Sequence, residues 1–149
     1  MRRCFAAVAV AVVMLVPGAF LFATTSPASA SATITIGRPT LVNRVLINLP
    51  ITVTCDVGNP ASSFFPPTAS VQQAVGKQIA TGSGYASFGS FPFTVNCDGV
   101  TPTTFVIQIS ASPSGPPFHG GSAVASANFS IFGPAGSESA STGLVSVRL

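Results

Sequence analysis

Val45-Leu46-Ile47-Asn48-Leu49-Pro50-Ile51-Thr52-Val53-Thr54-Cys55-Asp56-Val57 is the stretch that decides the fold class. Its odd-numbered positions are all apolar or cysteine, and Asn48, Thr52 and Thr54 stand between them. A period of two sends successive side chains to opposite faces, so the run reads as a strand with one dry face and one wet face. Pro50 cannot donate a hydrogen bond, so the run is expected either to split there or to lie at a sheet edge.

The same alternation extends in both directions. Ile34 and Ile36 carry it upstream. Phe91, Phe93, Val95 and Cys97 carry it downstream, as do Phe105, Ile107, Ile109 and Ala111, then Ala123, Ala125, Ala127, Phe129 and Ile131, then Val145 and Val147. Polar positions hold Ser, Thr, Asn and Gln rather than Lys and Glu. Seven or eight strands are expected, at 33–37, at 45–49 with 51–57 counted as one run interrupted at Pro50, and at 70–75, 91–97, 103–111, 122–132 and 143–148. A further segment, 78–81, is either separate or merged with 70–75. Gly82-Ser83-Gly84 reads as a flexible break, and Gly133-Pro134-Ala135-Gly136 as a loop. Short strands at this spacing, with no sustained helical period, predict an all-β, antiparallel, immunoglobulin-like β-sandwich over residues 31–149. The chain has no tryptophan, whereas immunoglobulin domains of antibodies pack one beside their disulfide.

Residues 1–30 read as a signal peptide. Arg2 and Arg3 form a positive start, Phe5 to Phe22 is apolar, and Ala28-Ser29-Ala30 offers small residues to a signal peptidase. Ala30-Ser31-Ala32 is a second cleavage candidate, and an uncleaved membrane tether is the competing reading. The expected localisation is secreted, outside the cell. Without the leader, the full-chain formal charge of +3 shrinks to Arg38, Arg44, Lys77 and Arg148 against Asp56, Asp98 and Glu138. No basic cluster remains, so nucleic acid is not an expected partner.

Cys4 lies in the leader, which leaves Cys55 and Cys97. In an oxidising compartment such a pair is expected to form a disulfide, the alternative being two buried thiols. Closing a loop of this length stabilises by about 4 kcal/mol in the chain-entropy picture.

Cys97-Asp98-Gly99, the strand Phe105-Val106-Ile107 and the entry Phe118-His119-Gly120-Gly121-Ser122-Ala123-Val124-Ala125 together resemble a pattern of small secreted actinobacterial proteins. The resemblance spans about residues 51–130 and implies export and an immunoglobulin-like β-sandwich. It brings no catalytic residue. A more distant likeness is to the enediyne chromoprotein apoproteins, secreted sandwiches that carry an apolar small molecule. They normally hold two disulfides, and this chain can form one.

Catalytic chemistry has little to draw on. His119 is the one histidine, in a loop with no acid beside it in sequence, and nucleophilic catalysis needs an oriented base. Asp56 and Asp98 each follow a cysteine, so a disulfide would bring them near one another, but Asp before Gly also caps turns. No spacing supplies three zinc ligands. No cofactor and no enzymatic activity are expected. Two proline-braced aromatic loops make a candidate binding patch: Phe64, Phe65, Pro66 and Pro67, with Pro117, Phe118 and His119. If 78–81 is a strand separate from 70–75, they meet at one end and offer a rigid apolar surface to envelope carbohydrate, peptide or an apolar small molecule. Otherwise they lie at opposite ends, and the rings can also fold inward as plugs. The expected function is therefore a non-catalytic secreted module, associated with the envelope or binding outside the cell, with an apolar small-molecule carrier as the alternative.

Overall fold

The computed structural model describes residues 32–59, 61–62, 65–86 and 94–149; the expected leader 1–30 and Phe64 lie outside the described residues. Eleven strands are described: β1 Thr33–Ile36, β2 Thr40–Asn43, β3 Leu46–Thr54, β4 Ala61–Ser62, β5 Thr68–Val75, β6 Gln78–Tyr85, β7 Thr94–Val95, β8 Thr103–Ala111, β9 Ser122–Gly133, β10 Gly136–Ser141 and β11 Val145–Arg148. All pairings are antiparallel.

Two pairs of short strands are each one interrupted strand. β1 and β2 both lie along β3, and the register slips between Ile36↔Ile51 and Thr40↔Asn48. The slip falls opposite Pro50. There Gly37 N–H donates to the Pro50 carbonyl at 2.8 Å. The Pro50 nitrogen faces the same side, so the donor it lacks falls at the irregularity rather than in a regular ladder. β3 therefore runs unbroken through Pro50, between β8 and the β1–β2 strand, so neither expectation holds: the run is not split and does not lie at a sheet edge. β10 and β11 likewise both pair with β9, with one extra residue between Ser141↔Asn128 and Val145↔Ala125. Gly143, at φ 62°, supplies the left-handed turn for that bulge.

Counted as long strands, the hydrogen-bonded order is β1/β2, β3, β8, β6, β5, β9, β10/β11. β1 at one margin also approaches β9 and β10 at the other. The sheet is thus rolled into a nearly closed, barrel-like form, continuous rather than split into two detached layers. Its inside is the core: Ile47, Leu49, Ile51 and Val53 from β3, Ile107 and Ile109 from β8, Ala69 and Val71 from β5, Ala80 from β6, and Ala123 through Ile131 at alternate positions of β9. Here the period-two reading holds, except that Val45 sits in the β2–β3 turn and is 57% exposed.

Gly82-Ser83-Gly84 is part of β6, not a flexible break. A Cβ on Gly82 would lie 2.6 Å from the Ser110 carbonyl oxygen, and one on Gly84 would collide with the Gln108 carbonyl. Only glycine lets β6 press its backbone on β8. The 91–97 strand shrinks, within the described residues, to the two residues of β7 paired with β4.

Cys55 and Cys97 form a disulfide across 42 positions, with Cα atoms 4.6 Å apart. Both are buried, and both lie just beyond strands, at the end of the roll where β3 finishes. The bridge pins the segment before β8 over that opening, and Gly99 N–H donates to the Cys55 carbonyl at 2.8 Å. Reduction, or Cys97→Ser, should lower unfolding free energy by about 2–5 kcal/mol. Urea melts with and without reductant measure this; coincident curves would mean that the bridge constrains nothing.

Candidate functional site

The direction of β8 decides where the aromatic loops fall. β3 ends at the disulfide end, and β8 returns to the opposite end, where residues 112–121 lead into β9. Residues 65–67 precede β5, which starts at the disulfide end because it runs antiparallel to β9. Three long strands, β5, β6 and β8, separate the loops, and an odd number places them at opposite ends. Of the expected 91–97 strand, the described residues form only the two-residue β7. The joint patch of Phe65, Pro66 and Pro67 with Pro117, Phe118 and His119 is therefore not formed.

Each loop has its own fate. Phe118 is fully buried, with its ring against Gly82. It plugs the end opposite the disulfide. Its N–H donates to the Arg44 carbonyl at 2.8 Å, and Ser112 N–H to Thr81 at 2.7 Å. Pro117 and His119 are half-buried. Phe65 is 63% exposed and packs at 6.3 Å, tilted 52°, on Phe132. Pro66 is half-buried and Pro67 buried, and the Pro67 carbonyl accepts from Ala86 N–H at 2.9 Å.

The loop at the Phe118 end is held by a residue that the sequence reading passed over. Gln73 is 4% exposed. Its Oε1 accepts from His119 N–H at 2.8 Å, and its Nε2 donates to the His119 carbonyl at 2.7 Å. The side-chain amide thus acts as a ladder partner for one backbone residue of the loop. The signal lay in parity: Gln73 shares the inward positions of Ala69 and Val71 on β5.

His119 Nε2 lies 3.2 Å from Arg44 Nη2. Arginine has no acceptor, so the ring nitrogen accepts. The acids are elsewhere. Asp56, Asp98 and Glu138 all stand at the disulfide end, where Glu138 Oε2 accepts from Asp56 N–H at 3.1 Å. Asp98 Oδ1 accepts from Val100 N–H at 2.9 Å and Thr101 N–H at 2.6 Å, and Oδ2 from the Thr101 hydroxyl at 2.7 Å. The Thr101 backbone bond leads, followed by the Thr101 hydroxyl and Val100 N–H, in lowering the Asp98 pKa to about 2. Asp98 is a turn cap, and its carboxylate is committed to Val100 and Thr101. Asn59 extends the arrangement, accepting from Cys97 N–H at 2.7 Å and donating to Asn96 Oδ1 at 2.5 Å. Among the described residues no group of three His, Cys, Asp or Glu could hold a metal.

Hollows are found on the outside of the roll. The outer face of β5, β6, β9 and β11 carries an open groove of about 630 Å³, lined mainly by apolar atoms. Two neighbouring hollows on the β5–β6 side are lined by Ser70, Ser83 and Tyr85, among others. No family model matches this chain, and no curated protein or solved structure is found to be similar to it.

Gln73→Leu keeps the volume and strands the His119 N–H and carbonyl. A loss of about 2–4 kcal/mol is expected in urea unfolding; a change below about 0.5 kcal/mol would remove the clamp. Asp98 supplies a pH signature. Its folded pKa is depressed, so its contribution is complete above the ordinary value of 3.8 and disappears as pH falls through about 2. Asp98→Asn should flatten that acid limb in thermal melts between those two values, and an unchanged limb would contradict the assignment.

Proposed function

We propose that this chain is a secreted, non-catalytic module that works outside the cell or at the cell envelope, as a binding or structural protein. The observation that carries the reading is the buried Cys55–Cys97 bridge, which closes one end of the roll. Such a cross-link persists in oxidising compartments, and the chain begins with an export-type leader. Non-catalysis is supported by separation: the one imidazole pairs with Arg44, while every acidic side chain stands at the other end. General acid–base work needs those groups within reach of one another. No cofactor is required.

The immunoglobulin-like description belongs to the same proposal. Numbered one to seven, the long strands lie in the order 1-2-5-4-3-6-7. That is the order produced by setting an A-B-E-D sheet beside a C-F-G sheet, here joined through the fourth and third strands. The bridge differs, since an antibody-type disulfide joins the second and sixth strands, and this one follows the second and precedes the fifth. The alternative, a carrier of an apolar small molecule, is favoured by the apolar groove, although that groove lies outside the roll.

Ala32 is buried against the core, so cleavage after Ala30 keeps a packed residue that cleavage after Ala32 would remove. Expressed in full in a secreting bacterial host, the protein should appear in the medium beginning at Ser31, with its bridge formed. Intact mass and thiol titration measure both. A cytosolic product with free thiols would overturn the proposal, and a membrane-bound product retaining Met1 would replace secretion by tethering.

A further inference from the structure

The groove on the outer face of β5, β6, β9 and β11 is built by register. Ala74 stands opposite Ile79, Gln72 opposite both Thr81 and Val124, and Val124 opposite Ser146. Outward positions of adjacent strands thus line up as a row across four strands, a span of roughly 14 Å. Beside this row, opposite Ala74, Ile79 is 59% exposed, a large apolar side chain left in water. Val124, outward on β9, contributes further apolar surface. The volume of about 630 Å³ suits a small ligand, for which about 300–1,000 Å³ is usual.

Charge marks one end of the groove. Arg148, on β11, is part of its wall, and Lys77 stands at the tip of the β5–β6 turn, two residues before Ile79. Among the described residues neither side chain takes part in a hydrogen bond or ion pair. All three carboxylate side chains lie at the far end of the roll. An apolar trough beside unneutralised cations is complementary to a molecule with an alkyl chain and a terminal anion.

We propose that this groove binds a single-chain amphiphilic anion, an alkyl carboxylate, with its chain across Ile79, Ala74 and Val124 and its carboxylate on the Arg148 guanidinium. Arg148 offers a planar pair of donors that fits a carboxylate, and its charge is permanent. Lys77 adds a longer-range attraction that salt screens. The chain displaces water from Ile79 and Val124, the apolar part of the gain. The inference deepens the binding-module reading and rests on it; the secretion assay above succeeds or fails independently of any ligand.

Titration calorimetry with dodecanoate, kept below micelle formation, tests it on the secreted protein. Dodecanoate should bind, and dodecyl maltoside, with the same chain and no charge, should bind about tenfold more weakly. Arg148→Ala should weaken dodecanoate about tenfold and leave the maltoside unchanged. Ile79→Ser, at an exposed position that folding does not need, should weaken both. Three results would each overturn the proposal: no binding of dodecanoate up to its solubility limit, equal binding of the charged and neutral amphiphiles, or an Arg148→Ala protein that binds like the parent. Recruitment to anionic phospholipid vesicles without binding of monomeric dodecanoate would also overturn it, in favour of a membrane surface.

Discussion

Everything about the shape depends on β6 lying with its backbone directly on β8. That contact joins the strands around β3 to those around β9, and so turns two half-sheets into one roll. Gly82 and Gly84 are the condition for it, because carbonyls of β8 occupy the space that side chains would fill. Glycine usually weakens a strand. Here the cost in chain entropy is offset by the continuity of hydrogen bonding from β1 to β11. The absence of a side chain on Gly82 also makes room for the Phe118 ring, so the same residue sets both the closure of the sheet and the plug beneath it.

The core divides its volume unevenly. β3 and β8 contribute Ile47, Leu49, Ile51, Val53, Ile107 and Ile109, while β5, β6 and β9 answer mainly with alanines and Val71. Large aliphatics against small side chains allow opposite walls to approach closely and still reach interior packing density. The ends are then too wide for alanine. Phe118 fills one, and at the other Phe129, Ile131 and the disulfide pack together, with Phe105 stacked at 6.4 Å on Phe129. A covalent bridge at an end, rather than between two central strands, suits such a core. The middle is held by apolar packing, and the end is where irregular chain must be kept in place.

The apolar parity of β3, β8 and β9 was legible residue by residue, because burial on one face is written directly as alternation. Three features were not. Pro50 argued for a broken strand, and only the position of the β1–β2 slip explains why it is tolerated. β10, Gly-Ser-Glu-Ser-Ala-Ser, carries almost no apolar signal, since its place is set by the hairpin with β9 rather than by burial. The 91–97 segment carries a strong alternation, yet its described part pairs over two residues only. That one misreading reversed the direction of everything after it and separated the two aromatic loops. Cys55 and Cys97 were read correctly as a pair, but as strand residues rather than as an end clasp.

At both ends of the roll the polar groups named above are engaged within the chain, and this bears on where binding chemistry can sit. At the disulfide end Asp98, Asn59 and Glu138 are committed to backbone donors of their own chain. At the other end Phe118 is buried, Gln73 clasps His119, and His119 accepts from Arg44. A ligand arriving at either end would first have to replace these bonds, which stabilise by about 0.5–1.5 kcal/mol each and more where charged. The outer face of β5, β6, β9 and β11 carries no such commitment in its groove: its apolar side chains are in water, and the Arg148 and Lys77 cations are unneutralised. Surface that is unsatisfied in both respects gains most from being covered, and this is the physical ground for the proposed binding face along the side of the roll, where the strand register builds it.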